Sequence, residues 1–161
     1  MLLMKIILFV LLSVVSLNSF ALSYPKSPEL DLTPGSLCDT PDRYRHPEQI
    51  PYCERNVNSF LKELIFVNYR KLGYGLSGDR SSYKVDHFIP LCFGGSNKQD
   101  NLWPQHVTVA RMTDSLEAMG CEVLGLGKIT HKEVLDLIIK AKLNNKEAPG
   151  IFNYLKSLKN R

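Results

Sequence analysis

Long apolar runs are nearly missing from this 161-residue chain. The one present, Ile6 to Leu17, is about a dozen residues, whereas a helix needs roughly 20 to cross a bilayer. A membrane-spanning reading therefore fails on length. No internal repeat or low-complexity tract occurs, which argues against solenoid and linker architectures. An excess of one charge is also lacking: 20 Lys and Arg stand against 16 Asp and Glu. A balance this slight permits a polyanionic partner without demanding one. Cysteine is limited to Cys38, Cys53, Cys92 and Cys121, with no Cys-x-x-Cys pair, which argues against a structural zinc site.

The short apolar run reads as an address. Lys5 precedes it, and Ser19-Phe20-Ala21 puts small residues at the two positions a signal peptidase reads. Residues 1–21 are expected to be a secretory signal. The mature protein would start near Leu22, carry no membrane segment and be periplasmic or secreted. Loss of Lys5 leaves 19 Lys and Arg against 16 Asp and Glu, a net charge of +3. The remaining chain, about 140 residues, is the size of one domain and can bury a core without staples.

Residues 22–52 hold six of the nine prolines and read as an irregular, disulfide-closed arm. Arg43, Arg45 and His46 lie in it, either as phosphate contacts or as a solvated charge cluster. From Glu54 to Leu72, Val57, Phe60, Leu61, Leu64 and Ile65 recur at helical spacing, with Gly73 as the C′ residue. Val109, Met112, Leu116 and Met119 predict a second helix after Pro104, ended by Gly120. Thr130 to Glu133 is a capping box with Ile129 and Val134 as its staple, so His131 is a first-turn residue with no implied chemistry. That helix continues through Leu135, Ile138, Ile139 and Leu143. A terminal helix after Pro149 turns Ile151, Phe152, Leu155 and Leu158 inward.

The most informative stretch is Tyr83-Lys84-Val85-Asp86-His87-Phe88-Ile89-Pro90-Leu91, then Gly94-Gly95-Ser96-Asn97 and Asn101-Leu102-Trp103-Pro104-Gln105. In order and spacing these residues resemble the ββα-metal motif of HNH endonucleases, whose reaction, phosphodiester hydrolysis, needs an activated water, a counter-charge for the transition state and stabilisation of the departing oxygen. An imidazole near neutrality supplies the first, and His87 is assigned that role. One divalent cation supplies the other two, and Asp86 is its natural first ligand. Neighbouring strand residues point to opposite faces, so metal and base would flank the scissile phosphate. Mg²⁺ uses only one or two carboxylates, so a sparse ligand set suits it; Mn²⁺ and Zn²⁺ are alternatives.

More narrowly, the full string resembles a secreted bacterial branch of that family. The resemblance covers residues 83–105 firmly, and 53–73 and 110–139 more weakly, where a Cys-x-Arg start (Cys53-Glu54-Arg55) and a Gly-Lys-Ile-Thr helix start recur. It implies a positioning role for Asn101, whose amide would tie the loop back and hold the strand in register. Many family members carry a His or Asn ligand about nine residues later. Here that position is Ala110. The branch instead has acidic residues on this helix, matched here by Asp114 and Glu117; His106 is a further candidate ligand. Arg80 and Lys84, close to His87 in sequence, and Arg70 and Lys71, in a helix's last turn, are the candidate nucleic-acid contacts.

Export gives the cysteines a meaning, because disulfides persist in oxidising compartments. Cys38 with Cys53 would close a 15-residue loop and contribute about 3 kcal/mol. Cys92 with Cys121 would pin the strand bearing His87 to the following helix; two buried free thiols are the alternative. The fold expected is α+β, a mostly helical single domain around a ββα-metal motif spanning 53–161. The function expected is a monomeric, exported, Mg²⁺-dependent endonuclease acting on DNA, and possibly RNA, with little sequence preference. A catalytically silent nucleic-acid-binding protein and a disulfide-bonded interaction protein are the alternatives.

Overall fold

The computed structural model describes residues 24–76 and 80–161. The expected signal segment 1–21 lies outside the described residues. Within them the chain forms a small α+β domain of four α-helices and two two-stranded antiparallel sheets. In order these are β1 (Arg43–Arg45), β2 (Ile50–Tyr52), α1 (Ser59–Lys71), β3 (Tyr83–His87), β4 (Leu102–His106), α2 (Val107–Gly125), α3 (His131–Leu143) and α4 (Ala148–Lys159). Strand β1 pairs with β2, so the arm, read as irregular, contains a hairpin. Strand β3 pairs with β4 in a register that sets Asp86 opposite Trp103 and Tyr83 opposite His106. Helix α2 follows β4 without a loop.

Two apolar clusters hold these elements. One packs Ile65, Phe66 and Tyr69 of α1 against Val85, Leu102, Trp103 and Val109. The other joins α2, α3 and α4 through Leu116, Val123, Val134, Ile138, Ile151 and Leu155, with Ile89 and Phe93. Each fully buried side chain of this size contributes roughly 1.5–3 kcal/mol. Asp86 and His87 fall in the chain between Val85 of the first cluster and Ile89 of the second. A polar pair is thereby held at the seam of two cores.

Helix α1 begins later than its periodicity predicts, because Asn58 caps it: its side-chain oxygen accepts from Leu61 N at 2.8 Å. Phe60 was expected on the core face and is instead 76% exposed. It lies nine residues before buried Tyr69, which at about 100° per residue is the opposite side of the helix. Helix α2 does not stop at Gly120. There a Cβ would sit 2.9 Å from Phe93 Cζ and 3.1 Å from Val134 Cγ2, so the glycine admits a close helix crossing. The helix ends at Gly125, ahead of Gly127 at φ +65. Met112, expected inward, is 44% exposed. The capping box of α3 forms as its sequence predicts.

Both disulfides form, Cys38–Cys53 and Cys92–Cys121. The second joins the turn after β3 to α2. Gly94 adopts φ +80, as the turn requires, whereas Gly95 does not serve through positive φ. A Cβ on Gly95 would lie 1.8 Å from Ile89 O, so backbone approach dictates glycine there.

Candidate active site

Asn101 fixes the turn that follows β3. Its side chain is fully buried, accepts from Ile89 N at 2.8 Å and donates to Ile89 O and Ser96 O, each at 2.9 Å. Three hydrogen bonds from one amide lock the chain on both sides of the Gly-Gly turn. The Asp86–His87 end of β3 is thereby immobilised.

Around that end lies a cleft of about 380 Å³. Asp86, His87, Lys84, Asp114 and Glu117 line it, together with Arg45, Arg55 and the Cys92–Cys121 disulfide. A larger concavity of about 560 Å³ lies beyond Arg55 and Asn97, but its acids are Asp39, Asp42 and Glu54 and it lacks the Asp-His pair.

The imidazole of His87 is engaged at both nitrogens. Arg55 Nη1 lies 3.1 Å from Nδ1, and Asn97 Oδ1 lies 3.0 Å from Nε2. A guanidinium only donates, so Nδ1 carries the lone pair and Nε2 the proton. Burial pushes the His87 pKa down to about 4, outweighing the hydrogen bond to Asn97 that opposes it. The ring is neutral at physiological pH, with its basic nitrogen facing Arg55. Arg55 Nη2 also donates to Val85 O at 2.8 Å, which sets the guanidinium plane.

Asp86 faces the other way, as strand alternation requires. Its Oδ2 is 3.1 Å from Lys142 Nζ, which also lies 2.8 Å from Glu117 Oε1 and donates to His87 O. Lys142 is 1% exposed. Burial alone would lower its pKa, but the carboxylates of Glu117 and Asp86 outweigh that and keep it an ammonium. Burial likewise works to raise Asp86, yet Lys142 and Lys84 hold it below the ordinary carboxylate value. Glu117 is pushed up to about 6 by its burial, against the pull of Lys142. Two carboxylates and a carbonyl thus converge on one internal cation.

A second cation lies further out. Lys84 Nζ is 3.6 Å from Asp86 Oδ1 and 2.7 Å from Asp114 Oδ1, and its side chain is 38% exposed. Among the described residues no group of three or more His, Cys, Asp and Glu side chains is arranged to hold a metal. The acids are instead interleaved with lysines. At the outer position Lys84 Nζ stands between the oxygens of Asp86 and Asp114. At the inner position the ammonium between the acids, Lys142, is enclosed.

Not every sequence-predicted residue joins this cleft. His106 sits at the far end of β4, paired with Tyr83, stacked on Tyr24 at 4.0 Å between ring centroids and capping α2 through Thr108. Its ring is used for packing and capping. Arg70 pairs with Glu63 at 2.7 Å, and neither it nor Lys71 lines the cleft. Arg80 also pairs with Glu63 and stacks over Phe66, lining a neighbouring concavity. Arg55 and Lys142 are the residues missed. Arg55 had a signal in the Cys-x-Arg start; Lys142 had none, lying 56 residues from Asp86 on a helix whose apolar pattern was carried to Leu143, which is instead 39% exposed.

No protein-family model, curated protein or solved structure matches the chain. Among the described residues no helix is long and apolar enough to cross a membrane.

Proposed function

We propose that the chain is an exported, divalent-metal-dependent endonuclease of the HNH type, in which β3, β4 and α2 are the ββα-metal motif. One observation carries this: His87, with a neutral imidazole, and the acids Asp86, Asp114 and Glu117 share one cleft with Arg55, Lys84 and Arg45. A candidate base, acids and donors for a phosphate thus line one cleft.

In this reading Asp86 and Asp114 would hold the cation, which would have to displace Lys84 from between them. A divalent cation held there would supply Lewis-acid chemistry to the phosphate. Lys142 fixes the rotamer of Asp86, as hydrogen-bonded supports of ligating carboxylates do. His87 Nδ1 takes the proton of the attacking water, and Asn97 holds Nε2–H so that the tautomer is fixed. Arg55 must first leave Nδ1, and an incoming phosphate gives its guanidinium a stronger acceptor. The cations of the cleft, Arg45, Arg55 and Lys84, suit phosphates of any sequence, which fits DNA cleaved with little sequence preference.

The engagement of both His87 nitrogens and the lysine-filled acid cluster also fit a silent nucleic-acid-binding protein. Incubating purified residues 22–161 with plasmid and Mg²⁺, with and without chelator, decides between the two. Chelator-sensitive cleavage supports the nuclease. A gel shift without cleavage supports the binder.

A further inference from the structure

Arg55 and Lys84 each face two cavities. Besides the acid-histidine cleft they line a second concavity of about 270 Å³, completed by Lys62, Phe66, Arg80, Tyr83 and Val85. Four of these seven residues are cations and none is an acid. Two of the four are already partnered by carboxylates: Arg80 by Glu63 at 2.9 Å, and Lys84 by Asp114 at 2.7 Å. Arg55 and Lys62 pair with no carboxylate among the described residues.

The way Arg55 is held sharpens the point. Its two nitrogens donate to Val85 O and His87 Nδ1, both neutral acceptors. The guanidinium is oriented while its charge stays uncompensated. Arg55 is exposed and so needs no internal acid; fixed by neutral acceptors beside an open basic wall, its guanidinium is available to an incoming anion.

The geometry points to this second concavity as a phosphate-binding subsite, which takes the nucleic-acid backbone next to the phosphate lodged in the acid-histidine cleft. The inference rests on the nuclease reading for the identity of the strand, and on the cations alone for the anion. Arg55 links the two cavities. A phosphate that draws its guanidinium toward Lys62 withdraws Nη1 from His87 Nδ1, so occupancy of the subsite uncovers the lone pair of the proposed base.

The test is equilibrium binding of a fluorescein-labelled DNA duplex, followed by anisotropy across a KCl series. Excess chelator blocks turnover and makes the result independent of catalysis. Lys62→Ala and Arg55→Lys should each weaken binding several-fold at low salt. The slope of log K against log salt should fall by about 1 for Lys62→Ala, the loss of one phosphate contact. Lys156→Ala, on α4, should leave both unchanged. Slopes and affinities like wild type in both subsite variants would overturn the proposal, as would an equal loss in the α4 variant. Binding that follows these expectations in a protein that leaves plasmid intact would keep the subsite and refute the nuclease.

Discussion

Replacing Lys142 with methionine keeps most of the side chain's volume and deletes its charge. The ammonium lies 3.1 Å from Asp86 Oδ2 and 2.8 Å from Glu117 Oε1, and it is 1% exposed. Removing one partner from a buried ion pair typically costs about 3–5 kcal/mol, because the remaining charges stay in place without compensation. At roughly 4 °C per kcal/mol for a domain of this size, the melting temperature should fall by about 12–20 °C. Circular-dichroism melts in chelator measure this directly. Glu117→Gln in the Lys142→Met background removes one stranded carboxylate, so the double variant should be more stable than Lys142→Met alone. Mg²⁺ or Mn²⁺ should raise the melting temperature of Lys142→Met more than that of wild type, since two carboxylates and the His87 carbonyl then face an open cation position. A melting temperature within about 2 °C of wild type, less than 1 kcal/mol on the same scale, would refute the idea that Lys142 neutralises the acids. So would a double variant less stable than the single one.

Three further outcomes are expected. His87 has its pKa lowered from 6.5 to about 4, so it contributes stability that is present above 6.5 and lost as pH falls through 4. Glu117 has its pKa raised from 4.5 to about 6, so its contribution is present below 4.5 and lost as pH rises through 6. The two oppose each other between those values, and melting curves against pH should show a steeper acid loss for Glu117→Gln and a shallower one for His87→Gln. Paramagnetic titration with Mn²⁺ should show weaker binding in Asp86→Ala and Asp114→Ala, while His106→Ala binds like wild type; equal binding in all three would remove the outer position. The Cys92→Ser/Cys121→Ser double variant frees the turn after β3 from α2, and plasmid cleavage should drop because displacement of about 1 Å can cost on the order of 10²-fold. Full activity in that variant would separate the disulfide from the site.

The sequence is legible where local chemistry and tertiary demand coincide. Thr130 and Glu133 cap α3 because the capping box needs only four consecutive residues. Asn101 is legible only through the family resemblance, whose motif spans its partners Ile89 and Ser96, within twelve residues of it. Periodicity fails where an apolar side chain turns outward, as at Phe60 and Met112. It fails more consequentially at Lys142, because a lysine amid Leu135, Ile138 and Ile139 is assigned to solvent by its type. Only the fold reveals that two acids from β3 and α2 wait for it at the seam of the two cores. The same holds for Gly120, which reads as a helix stop until Phe93 and Val134 are seen packed against it.

The claim that His87 and its acidic neighbours form a hydrolytic centre is tested most directly by comparing plasmid cleavage by wild type and His87→Ala at equal concentration in Mg²⁺, with folding checked by circular dichroism. Wild type should nick and linearise the plasmid in a chelator-sensitive manner, and the variant should be slower by about 10²–10⁴-fold, the usual loss for a general base. Intact plasmid with wild type, or equal cleavage by a folded His87→Ala variant, would contradict it.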